Sequence, residues 1–150
     1  MRVIFDKFFF LLCTLALLLV SMAGCSDKPV TADQLPEPVK AFIQQNFPDR
    51  NISYVEKDVE LTGTQYGVFL ADGTKVSFDT DNMWDEIECN LTNPVPTNLI
   101  PEVIVQNLQT NFPDVMVLKI DKDNNGYDVE LSNGLELKFN KQGVLREVDD

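Results

Sequence analysis

The sequence predicts an α+β fold built from two tandem α-β-β-β-β repeats, each an antiparallel sheet with a helix packed on one face. Three observations predict it. Leu35-Pro36-Glu37 and Asn46-Phe47-Pro48-Asp49 return 65 residues later as Ile100-Pro101-Glu102 and Asn111-Phe112-Pro113-Asp114. Tyr66-x-Val68-x-Leu70-x-x-Gly73-x-x-Val76-x-Phe78 returns 61 residues later as Tyr127-x-Val129-x-Leu131-x-x-Gly134-x-x-Leu137-x-Phe139. In both copies an Asp-Gly or Asn-Gly turn signal, Asp72-Gly73 or Asn133-Gly134, separates two alternating runs. Self-similarity at a near-constant period marks a duplicated supersecondary unit, and the four-residue slip between the two offsets falls in an expected loop.

The elements follow in chain order. Arg2 and Lys7 precede Phe8–Val20, an apolar run broken only by Thr14. That run suits the hydrophobic part of a signal peptide better than a membrane span, which needs about 20 residues. Ser21-Met22-Ala23-Gly24-Cys25 resembles a bacterial lipobox, with Met22 where leucine is usual. The resemblance implies cleavage after residues 1–24 and lipidation of Cys25, whose acyl chains would anchor the protein because each buried CH₂ contributes about 0.8 kcal/mol. Residues 25–34 read as a tether.

Repeat 1 spans 35–89. Pro36 and Pro38 stand where a first helical turn tolerates a missing N–H, Val39, Ile43 and Phe47 recur at four-residue spacing, and Pro48 stops the helix. Around Ile52–Leu61 the alternation is imperfect. Tyr66, Val68 and Leu70 then alternate with Gly67, Phe69 and Ala71, which places the first set on the core side. Asp72-Gly73 predicts a two-residue hairpin with positive φ at both positions. Val76 and Phe78 face inward on the returning strand. A turn at Asp81-Asn82 leads to Met83–Cys89, where Ile87 is expected in the core. Residues 90–99, polar and rich in proline, link the copies. Repeat 2, 100–150, repeats this scheme with Ile104, Leu108 and Phe112 on its helix, Leu137 and Phe139 inward, a turn at Gln142-Gly143, and Val148 in the place of Ile87. A lone copy of about 50 residues would be marginally stable, so the copies should join edge strands or pack face to face around a continuous core.

Composition narrows the function. Without residues 1–24, which hold Arg2, Lys7 and Asp6, ten basic and 23 acidic residues remain, a net charge of −13. This argues against nucleic acid and against direct binding to anionic membranes, and leaves the lipid anchor as the membrane contact. Basic partners or cations are favoured. Cys13 lies in the signal and Cys25 carries the lipid, so Cys89 stands alone and no intramolecular disulfide forms after processing. There is no histidine, which removes the usual general base and the commonest metal ligand. No cofactor motif is present.

The Leu-Pro-x-x-Val-x-x-x-Ile-x-x-x-Phe-Pro helix followed by the Tyr-x-Val-x-Leu-x-x-Gly-x-x-Val-x-Phe strands resembles the PepSY-like domain. It is most similar to the tandem, β-lactamase-inhibitor-protein-like form of secreted Bacteroidetes-type lipoproteins, and the resemblance covers residues 35–150. It implies an α-β4 unit, an extracytoplasmic place and non-catalytic binding or inhibition. The true β-lactamase inhibitor folds carry disulfides in each repeat, which this chain cannot form, so β-lactamase inhibition does not carry over.

The candidate sites are few. Phe69 lies on the strand face opposite Val68 and Leu70, and its counterpart is Glu130. Trp84 alternates with Glu86 and Glu88, away from Ile87. These four residues, Phe69, Trp84, Glu86 and Glu88, form either a binding surface of aromatics ringed by acids or, for the aromatics, packing between the copies. Asp121, Asp123 and Asn125 match the first half of a calcium loop, but Ser132 occupies the position that needs a bidentate glutamate and Asp128 the usual apolar one, so a polar turn competes with a metal site. Asp79, Asp81, Asp85, Glu86 and Glu88 gather carboxylates beside a turn, and copy two breaks the pattern with Asn140 and Arg146, which favours a solvated face over acid/base catalysis. Nothing adjacent in sequence activates Cys89. A non-enzymatic, lipid-anchored envelope protein that binds a protein partner is the leading expectation, on the periplasmic or cell-surface face of the outer membrane. A small-ligand or calcium-binding envelope protein is the alternative, and a hydrolase using carboxylates alone ranks last.

Overall fold

The computed structural model describes residues 30–150; the signal segment and Cys25 lie outside the described residues. Eight strands form one antiparallel sheet in sequence order: β1 (Ile52–Glu60), β2 (Gly63–Leu70), β3 (Lys75–Phe78), β4 (Trp84–Glu88), β5 (Val117–Lys122), β6 (Gly126–Leu131), β7 (Glu136–Asn140) and β8 (Leu145–Asp149). Helices α1 (Glu37–Asn46) and α2 (Glu102–Asn111) each follow a short 3₁₀ turn. The copies therefore join edge to edge. β4 pairs with β5 through Glu86↔Asp121, Ile87↔Ile120 and Glu88↔Lys119, and Cys89 N–H extends the ladder to Leu118 O at 2.7 Å.

Both helices begin and end by the same physics. Pro36 and Pro101 stand just before the first helical residue, and Glu37 and Glu102 place negative charge in the first turn, where the helix dipole favours it. Phe47 and Phe112 close the last turns, donating N–H to Ile43 O and Leu108 O at 2.8 Å. Val39, Ile43, Ile104 and Leu108 bury one stripe of each helix. That stripe meets Val55, Val68, Val76, Phe78 and Ile87 of copy one and Val117, Ile120, Val129, Leu137 and Phe139 of copy two in a single hydrophobic cluster. Each fully buried aliphatic of this kind contributes about 1.5–3 kcal/mol. Because one cluster takes in both helices and one face of the whole sheet, the opposite face has no layer over it among the described residues.

Three expectations change in detail. The Asp-Gly and Asn-Gly hairpins have three-residue loops, not two: Leu70 N–H bonds Thr74 O and Gly73 N–H bonds Leu70 O, with Leu131, Leu135 and Gly134 repeating this arrangement. Only the glycine takes positive φ, +90° at Gly73 and +89° at Gly134, as a type I turn followed by a left-handed residue requires. Val148 is not core. It is 47% exposed, whereas its counterpart Ile87 is fully buried, because Ile87 has β5 beside it and β8 has no strand on its outer side among the described residues. The linker is also more than a spacer: Val95 is buried and donates its N–H to Val117 O at 2.9 Å.

The open sheet face as candidate functional site

Cross-strand pairing lays two rows of side chains over the face away from the helices. One runs Tyr54–Phe69–Lys75–Glu88–Lys119–Glu130–Glu136–Asp149 and the other Glu56–Gly67–Ser77–Glu86–Asp121–Asp128–Lys138–Glu147. At the β1 end the rings of Tyr54 and Phe69 lie 5.5 Å apart, with Lys75 Nζ 6.0 Å from the Phe69 ring. Gly67 leaves a notch beside them, since a Cβ there would stand 3.5 Å from the Phe69 ring and from a Glu56 carboxylate oxygen. Phe69 is thus on the open face, as its alternation predicts, half-covered by Tyr54, which is 44% exposed.

The centre of the face is ionic. Glu86 accepts from Lys75 at 2.9 Å and from Lys119 at 3.0 Å, so one carboxylate ties β3, β4 and β5 together across the joint between copies. Burial would raise the Glu86 carboxyl, and the hydrogen bonds from Lys75 and Lys119 overcome it, holding the group below its ordinary range. Glu88 is exposed. Asp121 is pushed up, first by burial and then by the charge of Glu86. Asp85 is pushed up by burial, with Asp79 and Glu86 adding to it. The signs of the linked stabilities are opposite. Glu86, lowered in the fold, contributes stability that is lost as pH falls through its folded value, whereas Asp121, raised in the fold, costs stability as pH rises through its folded value. Asp121→Asn is therefore expected to raise Tm at neutral pH, with the gain vanishing once the pH is low enough to neutralise the aspartate itself; thermal melts from pH 3 to 8 check this.

Trp84 is not on this face. β3 and β4 slip register so that Phe78 pairs with Trp84, and Asp85 becomes the extra residue of a bulge. The slip turns Trp84 to the helix side, where it packs against the core, and Lys122 Nζ sits 4.4 Å over its ring. Of the four candidate residues, Phe69, Glu86 and Glu88 therefore share the open face, beside Tyr54, Lys75 and Lys119.

The calcium-loop residues part company. Asp121 is a strand residue facing Glu86 and Asp128. Asp123 spends its carboxylate inside its own turn, accepting from Asn125 N–H at 2.6 Å, Gly126 N–H at 2.9 Å and the Asn125 amide at 3.1 Å. Among the described residues no group of three or more acids or cysteines is placed to hold a metal ion. Asp79 likewise caps its turn, accepting from Asp81 and Met83 N–H at 2.9 Å, and Asn140 does the same in copy two. Cys89 lies on the core side, 3.8 Å from the Thr74 hydroxyl, and burial pushes its thiol up, so no thiolate is activated. A depression lined by Lys119, Asp121, Asp128 and Glu130 measures about 130 Å³, below the roughly 300–1,000 Å³ of a small-molecule pocket.

Two fused repeats that share one eight-stranded antiparallel sheet, with both helices on one face, define an α+β fold among the described residues. The model of the family described as "Putative beta-lactamase-inhibitor-like, PepSY-like" matches residues 21–63 and 64–147, and the chain belongs to this family. A periplasmic protein of the DUF2874 family from Bacteroides vulgatus, described as putative, superposes with a TM-score of 0.78 at 34% identity, covering 85% of this chain and 100% of that one. A "putative calcium-regulated periplasmic protein" from Bacteroides thetaiotaomicron gives 0.77 at 36%, covering 83% and 97%. A second Bacteroides vulgatus protein, described as a putative periplasmic protein of unknown function, gives 0.77 at 29%, covering 83% and 100%. No curated protein matches the chain. No helix among the described residues is long and apolar enough to cross a membrane.

Proposed function

We propose that the protein is a non-catalytic binding module of the cell envelope, held to a membrane by lipid on Cys25, that engages a protein partner through its open sheet face. The observation that carries this is the asymmetry of the sheet. Both helices cover one face, and the other displays an aromatic pair, Tyr54 and Phe69, at the end of a predominantly acidic field. Aromatic anchors beside charged rims are what protein interfaces use, and the acids select a partner with a basic surface. The periplasmic descriptions of the similar structures support the location.

The test uses residues 30–150, which contain every element and core residue described, as bait for envelope extract of the native host. The expected result is a partner held by the parent protein and lost by Tyr54→Ala/Phe69→Ala, with the circular dichroism intact and Tm lowered only by the loss of one cross-strand aromatic pair, because both side chains stand outside the core. A partner held equally by both proteins rejects the sheet face as its site.

Calcium binding is the second reading, favoured by the description of one relative as calcium-regulated; the sheet row where Asp121 and Asp128 stand opposite each other is where it would bind. Titration calorimetry of residues 30–150 with calcium checks it: Asp121→Asn should weaken any heat of binding at this row, and the absence of heat rejects the reading.

A further inference from the structure

We infer that the free edge of β8 is a second docking site, which takes an extended segment of a partner protein with alternating basic and apolar side chains, as β4 takes β5 within this chain. β4 and β8 are the same strand in two copies. Glu86-Ile87-Glu88 and Glu147-Val148-Asp149 lie 61 residues apart. They pair with β3 and β7 in the same register, Val76↔Ile87 and Lys75↔Glu88 against Leu137↔Val148 and Glu136↔Asp149, and both show the same bulge. They differ in what stands on the outer side. β5 occupies that side of β4, sets Ile120 against Ile87, and aims Lys119 at Glu86 while facing Glu88. β8 has no neighbour there among the described residues, and Val148 is 47% exposed where Ile87 is fully buried. Its acids receive only Lys138, from the inner side, at 3.4 Å from Glu147 and 2.8 Å from Asp149. An edge strand with unpaired backbone and an exposed apolar residue between two acids recruits a strand by main-chain hydrogen bonds, and side chains choose which strand.

The chemistry of the occupant follows from the internal joint. Lysine followed by isoleucine, Lys119-Ile120, completes β4, so a basic residue beside an aliphatic one completes β8. A second copy of this chain does not supply it. By the same register β1 would present Tyr54-Val55-Glu56 in place of Lys119-Ile120-Asp121. That sets Glu56 against Glu147 with no lysine between them, and β8 against β8 sets acids against acids. Like charges directly opposite destabilise a strand pair. This site is separate from the open face and does not depend on it.

The probe is a fluorescent peptide of residues 115–124, the sequence of β5 with its flanks, added to residues 30–150 and followed by anisotropy and by amide hydrogen exchange. Saturable binding is expected, with new protection at residues 145–149. A peptide with Lys119→Glu should bind about tenfold more weakly, as should the protein with Glu147→Lys/Asp149→Lys, since each change turns exposed charge attraction into repulsion. The reversed protein and the glutamate peptide together should recover the loss. Should the reversed protein lose its circular dichroism, Val148→Glu, which alters an exposed side chain, is expected to weaken the peptide to a similar degree. No saturation at millimolar peptide, equal affinity for parent and variants, or protection at β1 in place of β8 would overturn the assignment.

Discussion

Ile87→Ala and Ile120→Ala are each expected to destabilise the whole protein by about 2–5 kcal/mol, the cost of a large-to-small change at a fully buried site. The two side chains face each other across the β4–β5 joint. Each deletion enlarges the same cavity, so the double variant should depart from additivity by more than about 0.5 kcal/mol. The site of the effect matters more than its size. Trp84 is the single tryptophan and lies in copy one at the joint, under Lys122 of copy two, so the midpoint of its fluorescence reports copy one and the joint, while circular dichroism reports both copies throughout. If the repeats were separate folding units, Ile120→Ala in copy two would leave the Trp84 urea transition unmoved. With one core cluster spanning both copies, the fluorescence and dichroism midpoints should shift together by the same amount. A midpoint seen by Trp84 that ignores Ile120→Ala would show that the joint transmits no stability and that each copy stands alone.

That unity explains which parts of the fold were legible in the sequence. Repetition and alternation are local signals, and they marked both helices, their proline boundaries and the inward faces of β2, β3, β6 and β7. What they could not mark was the end of the sheet. Ile87 and Val148 occupy equivalent positions and have equivalent hydrophobicity, yet one is buried and the other exposed, because burial at a sheet edge depends on whether another strand follows. The hairpins show a similar limit. Asp-Gly signals a turn with a left-handed glycine, and the third loop residue becomes visible only through the bonds from Leu70 to Thr74 and from Leu131 to Leu135.

The candidate surface was less legible, for one physical reason. Strand alternation has a period of two, and each bulge reverses every assignment beyond it. Counting back from Ile87 put Trp84 on the face of Glu86, and the extra residue Asp85 turned it over. Copy two held the corrective signal: the counterpart of Trp84 is Leu145, apolar and also packed against the core, followed by two polar residues, Arg146 and Glu147. The imperfect alternation of β1 and β5 has the same cause, since each slips register at its start, between Ile52 and Tyr54 and between Val117 and Lys119. Those slips hid Tyr54 and Lys119, the partners of Phe69 and Glu86. Phe69 itself was found because β2 runs without a bulge from Tyr66 to Phe69.

Gly126→Ala is expected to cost about 2–4 kcal/mol, and Gly134→Ala about 1–2 kcal/mol. Both glycines sit beside hairpins of copy two, so composition alone would rank them equal. At Gly134 the φ of +89° is the whole difficulty: a Cβ would meet nothing within 4 Å. At Gly126 the Cβ would collide with the carbonyl oxygen of Phe139 and stand 2.7 Å from Asn140 Cα, both backbone. Backbone cannot swing aside as a side-chain tip can, so relief requires the Gly126↔Asn140 end of the β6–β7 ladder to open. The turn that Asp123 holds by accepting from Gly126 N–H would loosen with it. Chemical denaturation of the two variants separates strain from collision, and hydrogen exchange should show lost protection near Gly126 and Asn140 in the first variant alone. Equal costs for both would mean that positive φ dominates at Gly126 too, and that the close approach of β7 yields without breaking the ladder.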